Sequence, residues 1–307
     1  MRKTLIFLSL IIIGLCAACG DSRAERDKKA QKEQRTKDSL AMKIGTMPTF
    51  DCMPLFVAKE RGLFDSLNVD IRLRLFRAQM DCDTALVGGS VQGSVTDLVR
   101  AERLQRRGTA LVYKTATDAY WQLITNRKQR INQLSDLSDK MIAMARYSVT
   151  DMMATHAIAK GKLKNPAFKV QINDVFVRLG MLQNNEMDAM ALTEPQAAAA
   201  RLYKNPVLLD TRDEGWRMGV IAFRRKDLAD DHRSRQFQLL VRAYDTACDS
   251  LNKYGVAHYA DVAEKYCRAD RRAIKALNKY HFSHMNVPRQ KDVETARQWL
   301  NTLEKNK

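Results

Sequence analysis

The run Lys43-Ile44-Gly45-Thr46-Met47 is followed by Pro54-Leu55-Phe56-Val57-Ala58-Lys59-Glu60-Arg61-Gly62-Leu63-Phe64, and then by Val69-Asp70-Ile71-Arg72-Leu73-Arg74-Leu75-Phe76. These three segments set the architecture. The first predicts a short buried strand. The second predicts a helix, because proline is tolerated in a first helical turn and Leu55, Phe56 and Ala58 supply an apolar face. Gly62 suits the left-handed residue after a helix end, with Leu63 and Phe64 as the apolar contacts that accompany such ends. The third alternates with period two and predicts a strand. A short helix ending at Gly88-Gly89, a strand near Gly93-Ser94-Val95 and a helix opened by Thr96-Asp97 complete a β-α-β-α-β order, which implies parallel strands joined by helical crossovers.

Further along, Ala110–Lys114, Tyr120–Ile124, Met141–Met144, Val170–Ile172 and Asp188–Leu192 predict strands, with helices between the later ones. The segment from Leu86 to Asp97 has the same layout as that from Leu182 to Glu194. Each reads as a helix end, a polar turn, a short apolar strand, then a threonine followed by an acid. The echo predicts two similar α/β lobes. Met218–Phe223 reads as the strand that returns to the first lobe. The rest is helical, at roughly 233–253, 258–267, 270–281 and 289–304. The expected division is 43–128 with 217–307 for lobe I and its C-terminal helices, and 129–216 for lobe II.

Ahead of the lobes, Arg2 and Lys3 precede an apolar run from Leu5 to Leu15, and Ala17-Ala18-Cys19 follow. A basic start, a short apolar run and small residues mark a secretory signal, and the run is too short to span a bilayer comfortably. Leu15-Cys16-Ala17-Ala18-Cys19 resembles a bacterial lipobox, in which the final cysteine, here Cys19, is lipidated after cleavage. The alternatives are a signal cleaved after Ala18 and an uncleaved anchor helix. Residues 20–42 are charged and polar and read as a flexible, solvated tether, although their mixed charge also allows a short exposed helix.

About 265 residues remain, enough for two packed lobes. The formal net charge of +17 would suggest nucleic acid. Export and the scattered placement of the basic residues argue against that partner and for weak attraction to anionic envelope surfaces or plain solubilising charge. Cys52, Cys82, Cys248 and Cys267 form an even set in an exported domain, which suggests disulfides. The favoured pairing is Cys52–Cys82 and Cys248–Cys267, with free buried thiols as the alternative. No cysteine or histidine spacing resembles a zinc site, and no cofactor or metal is expected.

The segments 54–64, Gly89-Ser90-Val91-Gln92-Gly93, Asn185-Glu186-Met187-Asp188-Ala189 and Thr193-Glu194-Pro195, in that order and spacing, carry a resemblance that runs from about residue 43 to 225. The chain resembles the periplasmic solute-binding lipoproteins of the nitrate, sulfonate, taurine and thiamine-precursor type. The resemblance implies an α/β fold of the two-lobed type II periplasmic-binding class with C-terminal helices. It implies a small molecule held between the lobes and delivered to the permease and ATPase subunits of an ABC importer, and a monomer at the cell envelope, facing the periplasm or the exterior.

Ligands of open α/β sheets bind outside the carboxyl ends of the strands. The loops there supply Phe50, Asp51, Gln79, Asp81, Thr96, Asp97, Thr117, Asp118, Tyr147, Ser148, Asp151, Thr193 and Glu194, with Trp121 and Trp216 near the crossings. Grouped carboxylates favour a ligand with amino or amidine-like donors, and the aromatics could stack on a planar ring or a cation. Together these suggest a nitrogen-rich solute such as an aminopyrimidine. The competing account is that acids at helix starts are caps or dipole partners. Related two-lobed enzymes, a thiamine-pyrimidine synthase and a menaquinone-pathway dehydratase, make catalysis the alternative function. The sequence shows no nucleophile elbow or phosphate-cradling loop, and His156, His232, His258, His281 and His284 all lie outside the strand-end loops. A non-transport envelope lipoprotein is the third reading.

Overall fold

The computed structural model describes residues 25–32, 34, 36 and 38–305. The signal segment and Cys19 lie outside the described residues. The chain separates into a unit ending at Ala41 and a unit beginning at Met42. In the former, the described residues from 25 to 40 are helical. Among the described residues no helix is long and apolar enough to cross a membrane.

The unit from Met42 onward is built on two five-stranded sheets of the same design. In the first, β1 (Met42–Thr46) lies parallel to β2 (Ile71–Leu75) and β3 (Gly93–Asp97), while β10 (Gly219–Arg224) runs antiparallel between β3 and β4 (Leu111–Ala116). In the second, β6 (Met141–Met144) lies parallel to β7 (Phe168–Gln171) and β8 (Ala189–Thr193), while β5 (Trp121–Thr125) runs antiparallel between β8 and β9 (Val207–Asp210). The second sheet is built wholly from the consecutive strands β5–β9, whereas the first takes β10 from beyond them in sequence. Because β5 belongs to the second sheet, the chain first crosses at residues 117–120, earlier than the boundary at 128 read from the sequence. It returns through residues 211–218.

The central strands β3, β8 and β10 are buried along their whole length, as expected where helices cover both faces. The edge strand β2 keeps its alternation, with Ile71 buried and Leu73 against the core while Arg74 faces outward. Helix α1 (Met53–Glu60) buries every residue from Met53 to Ala58. Gly62 then adopts a left-handed φ of 67°, and Phe64 packs into the same core. The long helix Asp231–Tyr254 lies across α1, placing Leu240, Tyr244 and Leu251 in a cluster with Phe50 and Phe56. The last helix, Gln290–Lys305, packs Val293, Ala296 and Leu300 on the helix Leu98–Arg106, with Arg297 Nε donating to Glu102 at 2.9 Å. The C-terminal helices therefore thicken lobe I.

The four cysteines of the folded unit are free and buried, which corrects the expected pairing. Cys82 lies 3.0 Å from Ser94 Oγ on one side of β1. Cys52 turns toward Met47 N and the Thr49 hydroxyl. Cys248 meets Ser283 O, and Cys267 meets Thr49 O. All four lie in one buried cluster, each turned toward polar neighbours of its own. Burial also pushes the thiols up, that of Cys82 to about 12.

Candidate functional site: the interlobe cleft

The carboxyl ends of both parallel strand sets face one cavity. Lobe I contributes Thr49, Asp51, Gln79, Thr96, Asp97 and Arg100. Lobe II contributes Trp121, Ser148, Thr150, Asn173, Arg178 and Thr193. The cavity volume is about 70 Å³, space for roughly five to seven waters at 10–15 Å³ each.

The lobes are closed on this cavity. Phe50 N donates to Glu194 O at 2.8 Å, Gln196 Nε2 to Pro48 O at 2.9 Å, and Val149 N to Asp97 Oδ1 at 3.1 Å. Arg77 pairs with Asp174 at 2.9 Å on the rim.

Of the residues read from the sequence, Asp51, Gln79, Thr96, Asp97 and Ser148 line the cavity, as do Thr193 and Trp121. Phe50 is buried in the lobe I core with its ring edge-on to Tyr280 at 6.0 Å. Asp81 is exposed on a helix. Asp118 binds the backbone and hydroxyl of Ser283. Tyr147 lies under the Arg103 guanidinium, 3.9 Å from ring centre to Cζ. Asp151 holds Lys169 at 2.7 Å and accepts from Tyr147 N. Glu194, almost wholly buried, accepts from Tyr120 Oη at 2.8 Å, Arg201 Nη1 at 2.7 Å and Ala198 N at 2.7 Å. Trp216 packs between clusters of the two lobes, edge-on to His156.

The carboxylates that do line the cavity are engaged by protein donors. Asp51 accepts from the hydroxyls of Thr49 at 2.6 Å and Thr117 at 3.1 Å, and burial raises its pKa against those bonds. Asp97 caps the helix Leu98–Arg106 through Arg100 N at 3.0 Å while holding Val149 N of the opposite lobe. Burial pushes it up to about 6, with the Arg100 charge opposing. Asp97 therefore acts as a cap and an interlobe link, while Asp51 is bound by the two threonine hydroxyls, so both carboxylates already have protein donors.

Two features were not read from the sequence. Arg100, on the first turn after Asp97, pairs with Asp83 at 2.7 Å in a buried ion pair. Arg178 lies on the helix Val175–Gln183, buried with 7% exposure, and its Nε and Nη1 have no hydrogen-bond partner. Thr96 Oγ1 in the same cavity is likewise unpartnered. Burial, and secondarily the Arg100 charge, lower the Arg178 guanidinium to about 10, so it stays protonated at neutral pH. A lone basic residue in the otherwise apolar run Val175-Phe176-Val177-Arg178-Leu179 was the available signal. No histidine or cysteine lines the cavity, and among the described residues no cluster of three His, Cys, Asp or Glu could hold a metal ion.

Two matched α/β lobes closing on a cavity at their strand ends define a periplasmic-binding-protein fold. A family profile described as NMT1/THI5 like matches residues 49–262, and the chain belongs to that family. No curated protein sequence matches it. Among solved structures it is similar to the alkanesulfonate-binding protein SsuA from Xanthomonas axonopodis pv. citri bound to MOPS, with 17% identity, a TM-score of 0.70 and coverage of 86% of this chain and 91% of that one. It is also similar to the zinc-bound ligand-binding component of an ABC-type import system from Staphylococcus aureus, with 16% identity, a TM-score of 0.69 and coverage of 85% and 92%. The nitrate-binding protein NrtA from Synechocystis PCC 6803 aligns at 14% identity and a TM-score of 0.66, covering 82% and 74%.

Proposed function

We propose that this chain is a solute-binding lipoprotein of the cell envelope, anchored through Cys19, that captures a small organic molecule between its lobes and delivers it to an ABC importer. The observation that carries this reading is the cavity between the lobes, into which each lobe presents buried polar atoms, Thr96 Oγ1 from one and Arg178 Nε and Nη1 from the other, that have no protein hydrogen-bond partner. Buried polar groups left without protein partners point to a ligand. The chain acts by binding rather than catalysis, since the cavity presents no nucleophile paired with a base. It works as a monomer, takes no cofactor and has no nucleic-acid partner; its macromolecular partners are the permease and ATPase subunits. The described neighbours that bind import substrates support this assignment through their shared fold.

The test is a thermal-shift and small-angle scattering panel containing aminopyrimidines, thiamine, polyamines, taurine, alkanesulfonates and nitrate. A solute at a hundred times its Kd adds about 2.7 kcal/mol of stability and shifts an open population toward a smaller radius of gyration. A panel with neither effect would count against the proposal. Anchoring is tested separately: Cys19→Ser should move the exported protein from the membrane to the soluble fraction.

A further inference from the structure

Of the two cavity cations, Arg178 is the one without a carboxylate partner among the described residues. Arg100 has Asp83 at 2.7 Å and Asp97 at 3.8 Å. The acid nearest Arg178 in sequence, Asp174, is committed to Arg77 at 2.9 Å and to capping Phe176 N and Val177 N. A guanidinium buried to this degree without hydrogen bonds is costly. It also carries a fixed fork of donors matched to a planar or tetrahedral oxyanion.

We infer that the solute bears a single carboxylate or sulfonate group, held by the Arg178 guanidinium from lobe II and the Thr96 hydroxyl from lobe I. The inference rests on the solute-binding reading and names the chemical class that the same cavity takes. The headgroup touches both lobes, so binding and closure are one event. It also relieves the repulsion between Arg178 and Arg100. Charge in the rest of the cavity sets the valence: Asp51 and Asp97 lie on the lobe I wall, so a second negative charge on the ligand would meet two buried carboxyl groups. Val95, Val175 and the Trp121 ring supply apolar wall, and the volume holds a short body behind the headgroup. The class is therefore a small organic monoanion.

The experiment is isothermal titration calorimetry on the full chain with propionate and ethanesulfonate as monoanions, succinate and sulfate as dianions, propionamide as the neutral isostere, and 4-amino-5-hydroxymethyl-2-methylpyrimidine as the nitrogen-rich competitor. A monoanion should bind at least about tenfold tighter than propionamide and than either dianion, a comparison that needs no variant. Arg178→Met should weaken it by about 30-fold or more, while its unliganded melting temperature holds or rises because an unpaired buried charge is gone. Thr96→Val should cost about fivefold. If the aminopyrimidine binds and Arg178→Met leaves that binding intact, the monoanion assignment fails and the solute-binding reading stands. Equal binding of the monoanions to wild type and Arg178→Met also overturns the assignment. No heat from any probe would count against both.

Discussion

Lowering the pH through the range where Asp97 titrates tests whether its carboxyl group is buried as the structure has it. An ordinary Asp titrates near 3.8, and this one is pushed up to about 6 by burial, against the opposing charge of Arg100 and the amides of Arg100 and Val149, with Asp83 reinforcing the rise. Between those two values the folded chain binds more protons than the unfolded chain. Stability linked to Asp97 is therefore greatest below about pH 4 and is lost as pH rises through about 6. A separation of about two pH units corresponds to about 3 kcal/mol. Other carboxylates act oppositely: Glu60 and Glu214 are held low, chiefly by hydrogen bonds from Lys265 and Lys160, and Asp210 is held low despite its burial by hydrogen bonds from Arg212 and Gln122, so their contributions to stability are lost as pH falls. The Asp97 part is isolated by comparison with Asp97→Asn, which keeps an acceptor for Arg100 N and Val149 N and removes the charge. Urea denaturation of both proteins at intervals from pH 4 to 8 gives the difference directly. The variant should gain on wild type by about 3 kcal/mol from pH 4 to pH 7, with the change centred between the two pKa values. Parallel pH profiles, or a gap that moves the other way, would refute the reasoning.

Other consequences are open to single measurements. Glu194→Ala should destabilise by about 3–5 kcal/mol in urea titrations, because it strips Arg201, Tyr120 Oη and Ala198 N of a nearly fully buried acceptor; a loss under 1 kcal/mol would mean the network is not formed in solution. Gly93→Ala would set a Cβ 2.5 Å from Phe223 Cε1 and 2.7 Å from Cδ1, and overpacking of about 1–3 kcal/mol predicts a fall in Tm of about 2–10 °C. The thiols of Cys52, Cys82, Cys248 and Cys267 are buried, so a thiol reagent should be slow on these four in the native protein and modify all of them only on unfolding; modification of two or fewer of these four in the unfolded chain would reveal a disulfide.

Much of the fold was legible because its signals are local. The alternation at Ile71-Arg72-Leu73-Arg74, the apolar face of Met53–Ala58, the glycine at 62 and the paired layouts ending at Asp97 and Glu194 each lie within about a dozen residues, and the handedness of crossovers orders the parallel strands. The strand Val207–Asp210 and the true membership of Trp121–Thr125 were not legible in this way. Both depend on antiparallel pairing within the second sheet, between residues 64 to 88 positions apart.

The candidate site divides along the same line. Chain order alone places Asp51, Gln79, Thr96, Asp97 and Ser148 at strand ends, since that follows from where strands stop. What each group does there is set by neighbours distant in sequence. Asp97 meets Val149, Asp51 meets Thr117, and Asp118 meets Ser283. Whether a carboxylate is exposed to a ligand or spent on a cap is a question of hydrogen-bond partners, and only packing answers it. Arg178 is the converse. As a residue it is one of 52 basic side chains, and its importance arises because the folded lobes bury it beside Arg100 while its nearest acid faces Arg77. Local periodicity determined the elements and their order; the balance of charge inside the cleft exists only once distant segments have been brought together and water has been removed.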